Sequence, residues 1–207
     1  MSIVQIRRRL LLALLCLGPF GLLPGAPAGA QATAAADAGA NGANEPVVRL
    51  VTSLGEIDIQ LYRERAPRTV ANFLRLVDEG FYNGLIFHRV VANFVIQAGG
   101  YDEHLVYRTP PGTVVNESNN GLSNRMGTVA MARLDDPDSA DTQFFINVRD
   151  NAHLNATPGR PGYTVFGEVI RGFDVVEDIE LVDTGIQQGM AGVPDTPVVI
   201  IEARRLP

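Results

Sequence analysis

What most constrains this 207-residue chain is how often its apolar runs are interrupted. From Val47 onward, short stretches rich in Val, Ile, Phe and Tyr end again and again at Gly, Asn, Asp or Pro. Runs that short can cross a sheet but are too brief for most helices. In Glu56–Tyr62, Ile57, Ile59 and Leu61 alternate with Glu56, Asp58 and Gln60, the period of a strand with one wet face. Val47–Thr52 is a partner strand, linked to it through Ser53-Leu54-Gly55. Further strands are predicted at Ile86–Val90, Phe94–Ala98, Thr128–Ala132, Gln143–Val148, Tyr163–Val169 and Pro197–Arg204. Only two segments carry a helical stripe. Val70, Phe73, Leu74 and Val77 follow Pro67 and stop at Gly80. A second helix is predicted from Asp174, with Asp174 and Glu177 spaced as a capping box and Val175, Val176 and Ile179 as its apolar face. Many short strands and two helices imply a mainly β fold, a closed antiparallel barrel with the helices over its open ends.

The amino terminus reads differently. Arg7, Arg8 and Arg9 precede an apolar run from Leu10 to Leu23, broken at Pro19, and Ala28-Gly29-Ala30 supplies an A-x-A cleavage pattern. Residues 1–30 are therefore expected to be a signal peptide, which places the mature protein in the periplasm or outside the cell. The run is too short for a typical retained membrane span, and bulky Leu15 before Cys16 argues against lipoprotein processing. The arginine run leaves both general and twin-arginine export open. Residues 31–45, rich in Ala, Gly and Asn, cannot bury enough surface to offset ordering entropy and are expected to be a flexible tether. The folded domain is assigned to residues 46–207.

Cleavage would remove three arginines and no acid from a formal charge of −6, leaving −9. So acidic a protein is a poor polyanion binder, and nucleic acid is excluded as a partner. The sole cysteine, Cys16, leaves with the signal peptide, so no disulfide, thiol nucleophile or Cys-based zinc site is expected.

Three segments could carry chemistry: Phe87–Gly100, Gly127–Arg133, and Gln143-Phe144-Phe145-Ile146 reached through Asp138–Thr142. Arg89 sits in an apolar strand near Phe94, so it either faces a cavity with a partner or lies at a strand edge and reaches water. Gln143–Ile146 reads equally as plain core strand.

Taken together, Phe-His-Arg followed by Phe94, Gln97 and Gly99-Gly100, then Gly-Thr-Val-Ala-Met-Ala, then Ser139-x-x-x-Gln-Phe-Phe-Ile, resemble the cyclophilin signature. Gly162–Val169 and Gly172–Val176 continue it, in order and spacing, across roughly residues 46–207. Several independent motifs in register are far more specific than one short pattern. The compact loops and export signal resemble the bacterial periplasmic branch.

The resemblance implies a closed eight-stranded antiparallel barrel capped by two α-helices. It also implies peptidyl-prolyl cis-trans isomerase activity with no cofactor; the expected partners are proline-containing unfolded or exported polypeptides, no metal is expected, and the expected state is a monomer. Carried over by position, Arg89, Phe94 and Gln97 would be catalytic. Val95, Ala132, Arg133, Gln143, Phe145, His153, Leu154 and Tyr163 would bind substrate. There are departures. Val95 stands where the family often has Met, His153 where it usually has Trp or another aromatic, and Tyr163 where it often has His. The His153 departure implies weaker stacking and reduced affinity for cyclosporin-like ligands.

Other constellations are weaker. His88, beside Arg89, should face the other side of the strand and serve structure. His104 with Asp102 and Glu103 reads as a solvated turn rather than a metal site. Asp135, Asp136, Asp138 and Asp141 lack the glycine and closing glutamate of a calcium loop. Ser139 has no credible triad partners. The competing functional class is a proline-peptide binding module whose catalysis is incidental, and His153 is the feature that leans toward it.

Overall fold

The strand pair whose alternation is clearest also seeds the sheet. In the computed structural model, which describes residues 45–207, β1 (Val47–Thr52) and β2 (Gly55–Leu61) form an antiparallel hairpin. Val48, Leu50, Ile57, Ile59 and Leu61 point inward and are fully buried. The opposite face carries Arg49, which grips Asp58 with two hydrogen bonds of 2.7 and 2.8 Å. That pairing explains how Asp58 tolerates burial, and it holds the carboxyl below the usual aspartate range. The turn is tied by Thr52 Oγ1, which accepts from the Leu54 and Gly55 N–H groups at 3.1 Å.

Six more strands complete the main sheet: β3 (Leu85–Val91), β4 (Val95–Asp102), β5 (Thr128–Met131), β6 (Phe144–Asn147), β7 (Val165–Arg171) and, after a small hairpin, β10 (Ile200–Arg205). Their order is β10-β1-β2-β7-β5-β6-β4-β3, every neighbour antiparallel. The two ends of the series meet through one bridge, Ile86 to Val199, with Gly84 N–H donating to Ile200 O at 2.8 Å and Phe87 N–H to Val198 O at 2.9 Å. The eight-stranded barrel is thus nearly closed, by a short seam rather than a full ladder.

Helix α1 (Pro67–Asp78) starts with proline in its first turn, where the missing N–H costs nothing. Its stripe is buried as its period requires, and Phe73 packs on Tyr82, Phe144 and Phe166 at 5.1, 5.5 and 5.1 Å. Gly80 follows the end at φ 67°, the left-handed turn that stops a helix. Helix α2 (Phe173–Glu180) buries Val176 and Ile179 in the same core.

The start of α2 corrects the expected capping box. The N-cap is Gly172 and no side chain caps it. Phe173 is already helical, so Asp174 lies inside the first turn, where its charge favours the helix dipole but its carboxylate cannot cap. A second hairpin, β8 (Thr184–Gln187) with β9 (Met190–Pro194), was not anticipated. Residues 1–30 and 31–44, expected to be signal peptide and tether, lie outside the described residues. Among the described residues no helix is long and apolar enough to cross a membrane.

Candidate active site

Sheet register assembles the site. Arg89 on β3 pairs with Gln97 on β4, Gln97 with Phe145 on β6, Phe145 with Ala130 on β5, and Ala130 with Val165 on β7. Directly paired residues share a face, so one row of side chains crosses five strands. Val95, Ala130, Phe145 and Val165 form a buried apolar cluster separate from the main core, flanked by Phe94, Leu122, Ala132, Leu154 and Tyr163. It is a shallow apolar recess with Arg89 at one end.

Local chemistry fixes each member. The β3–β4 turn needs Asn93 in the left-handed region, φ 56°, a conformation asparagine tolerates. That tight turn returns Phe94 beside Arg89, whose guanidinium carbon lies 5.7 Å from the ring centroid. Arg89 Nη1 approaches Gln97 Oε1 at 3.5 Å, and Gln97 Nε2 donates to Gln143 Oε1 at 3.0 Å. Donation runs in one direction, from the arginine to Gln97 and on to Gln143. His153 stacks on Phe94 at 5.6 Å with the planes 21° apart, in the place where a larger aromatic was expected. Tyr163 meets Phe145 edge-on at 5.7 Å, and its N–H donates to Leu154 O at 2.9 Å. Ala132 N–H donates to Gln143 O at 2.9 Å, which ties the end of β5 to the start of β6.

Arg133 is placed at the rim, but its guanidinium is already occupied. It donates to the carbonyls of Gly162, Leu134, Asp135 and Pro161 and stacks over Tyr163 at 4.8 Å. It staples two loops together rather than presenting free donors.

The expected opposition of His88 and Arg89 does not hold simply. The β3–β4 register slips between Phe87 and Arg89, so His88 is the extra residue of a bulge. Its ring packs on Tyr101 at 4.8 Å and lies beside the Gln143 side chain. Burial pushes it down to about 4, against the opposing pull of the Ile86 carbonyl and Gln143. Nδ1 is buried with no hydrogen-bond partner. The acidic loops are turn scaffolding: Asp102 accepts from the His104 and Val106 N–H groups, Asp136 from Asp138, and Asp138 from Asn116.

Two parts of the site escaped sequence reading. Leu122 joins the recess from a polar loop, held by an Asx turn on Asn120 whose amide also donates to Val165 O at 2.9 Å. A lone leucine inside Ser118–Asn124 was the only signal. Beneath the recess, Asn151 donates to Phe94 O at 2.9 Å and to Asn147 Oδ1 at 2.8 Å, and Asn147 to Thr128 Oγ1 at 3.0 Å. Asparagine in sequence reads as turn, so this buried framework left no trace.

A nearly closed eight-stranded barrel with two helices and an arginine-tipped apolar recess on its outer face is the architecture of a prolyl isomerase. Residues 47–205 match the family model described as cyclophilin type peptidyl-prolyl cis-trans isomerase/CLD. A peptidyl-prolyl cis-trans isomerase of Acinetobacter baylyi is 48% identical over 158 residues, 76% of this chain and 84% of that protein. The Escherichia coli peptidyl-prolyl cis-trans isomerase B is 45% identical over 157 residues, 74% of this chain and 96% of that protein. A crystal structure of a cyclophilin-type isomerase of Cryptosporidium parvum, in the presence of the dipeptide Ala-Pro, superimposes with a TM-score of 0.65 at 25% identity, covering 78% of this chain and 99% of that one. The chain belongs to the cyclophilin-type peptidyl-prolyl cis-trans isomerase family. Its activity is the interconversion of cis and trans X–Pro bonds.

Proposed function

We propose that the enzyme acts on exported, folding polypeptides and that Arg89 stabilises the twisted prolyl amide while the recess holds the ring. The observation that carries this reading is the row Arg89–Gln97–Phe145, which sets a guanidinium and a polar amide at the edge of a dry apolar surface.

Amide resonance sets a barrier of about 18–20 kcal/mol. No bond to substrate must form or break; the enzyme need only bind the twisted amide better than the planar one. Once resonance is lost, the prolyl nitrogen regains a lone pair. A guanidinium is a permanent cation with several donors in a fixed fork, suited to that nitrogen or to the neighbouring carbonyl. Phe94, Val95, Phe145 and Leu154 would grip the ring, and Gln97, held by Gln143, would steady the moving carbonyl. Shortening isomerisation from about 100 s to about 1 ms requires roughly 7 kcal/mol. One preorganised donor supplies about 2.7–4 kcal/mol, so Arg89 accounts for about half. The remainder comes from moving a less polar, twisted amide into the recess and from holding the substrate.

The test is the cis–trans exchange rate of a short X–Pro peptide, by NMR exchange, for wild type and Arg89→Ala. Loss of about two to three decades in a folded variant is expected; a loss under threefold removes Arg89 from the mechanism. Arg89→Lys should not restore the rate, because a point ammonium lacks the planar fork. Export rests on residues 1–30. Expression of the full chain with fractionation and intact mass should give an extracytoplasmic protein beginning at Gln31. The substitution of His153 supports reduced affinity for cyclosporin-like ligands. Its acidic charge disfavours nucleic acid, and the enzyme is proposed to act as a monomer.

A further inference from the structure

We infer that the cleft beside the proline recess is a second subsite, selecting a glutamate side chain next to the substrate proline, with Arg160 as its specificity-determining residue. This rests on the proposed seating of proline on Phe145 and Leu154. The cleft has a volume of about 710 Å³ and runs from Arg133–Asp135 to His153–Asn155 and Arg160–Tyr163. Leu154 and Tyr163 belong to both cleft and recess. Consecutive Cα atoms are 3.8 Å apart, so a residue adjoining the seated proline is within reach of this cleft.

Its charge is opposite to that of the protein. The whole chain is formally −6, yet two guanidinium groups and one carboxylate, Asp135, line the cleft. The five arginines in ion pairs are Arg49, Arg75, Arg171, Arg204 and Arg205. Like most of the described arginines, Arg133 and Arg160 are in none of these pairs. The two cleft arginines differ. Arg133 spends its donors on four carbonyls and contributes a fixed positive wall. Arg160 is exposed, and its guanidinium makes one hydrogen bond, from Nη2 to His153 O at 3.3 Å. Its backbone is pinned in a reciprocal pair with Thr157, both bonds 2.9 Å. The stem is therefore anchored while most of the fork is free to meet a carboxylate. Leu134, 78% exposed on the facing lip, offers an apolar wall for the methylenes of glutamate.

The experiment compares kcat/KM for X–Pro peptides carrying Glu, Gln or Lys immediately before, or immediately after, the proline. Enzymes are wild type, Arg160→Gln and Arg171→Gln, the last removing the same charge from a distant strand. At low salt, wild type should favour Glu over Lys about fivefold at one of the two positions, with Gln between them, and the ratio should shrink at high salt. Arg171→Gln should keep that ratio and Arg160→Gln should bring it under twofold. A flat series in wild type, or a preference that survives Arg160→Gln, overturns the subsite while the Gln peptide still reports an active isomerase. If no peptide is isomerised, the isomerase reading itself fails and takes the subsite with it.

Discussion

Gln143 can lie flat where it does because residue 100 has no side chain. A Cβ on Gly100 would stand 2.8 Å from Cδ of Gln143 and 3.1 Å from its Nε2. Gly100→Ala should therefore push Gln143 aside, break its 3.0 Å bond with Gln97 and release the amide that faces Arg89. Isomerisation is expected to slow about tenfold, the scale of one misplaced polar group, with the melting curve little changed. Loss of fold instead would make Gly100 a packing residue only. His88, on the same chain of contacts, has a separate signature. Burial favours its neutral form, so the folded pKa of about 4 lies below the ordinary 6.5. The unfolded chain then binds the extra proton. The stabilisation is complete above pH 6.5, declines as pH falls and is lost through pH 4, a change of roughly 3 kcal/mol. His88→Asn should lose less stability than wild type between pH 7 and 4; parallel urea curves would clear His88 as the acid-labile group. Arg89, Gln97 and Phe145 were legible in sequence because family motifs index them. Arg133 was legible only as a substrate-binding position, since whether an arginine spends its donors on carbonyls depends on loops distant in sequence.

Where elements join, one glycine decides more than any helix propensity. Gly172 turns β7 into α2 at φ 81°, and a Cβ there would sit 2.0 Å from the carbonyl oxygen of Glu56. Gly172→Ala pays both backbone strain and a backbone clash, and should destabilise by about 3 kcal/mol. A lowered urea midpoint with an unchanged slope would check it; a midpoint within error of wild type would mean the turn has room to shift. The same junction explains the misread cap: Asp174 and Glu177 have the right spacing, but the turn fixes where the helix begins. The elements that could be read, β1, β2 and α1, are those whose apolar residues recur with a period of two or near four. Strand β8 buries no residue, and its one large apolar side chain, Ile186, is 78% exposed. Its one signal was Gln188-Gly189, at φ 49° and 82°, the positive pair a tight two-residue hairpin turn requires.

Across the whole molecule the barrel is uneven, and the uneven part carries the chemistry. In the strand order, β3 is the last member and β4 the next to last, so Arg89 lies on the seam strand and Gln97 on its neighbour. β2 is laddered on both sides, by β1 and β7. β3 has a full ladder only with β4; toward β10 it has one bridge and the bonds from Gly84 and Phe87. Opening free energies follow how many such bonds and buried contacts must break together. The seam should therefore open below the global unfolding threshold, freeing the Gly84 and Phe87 amides while β1, β2 and β7 stay paired. Native-state hydrogen exchange can resolve this amide by amide. The Gly84 and Phe87 amides are expected to be about 2–3 kcal/mol less protected than the most protected amides of β2, and to respond weakly to low denaturant, as local openings do. Arg89 lies beyond the seam, where β9 backs β3 so closely that a Cβ on Gly192 would stand 2.9 Å from Val90 O, and the opening should stop short of the arginine. Equal protection for Gly84, Phe87 and β2 would mean that the barrel opens as one unit, and that the short seam is as strong as a ladder.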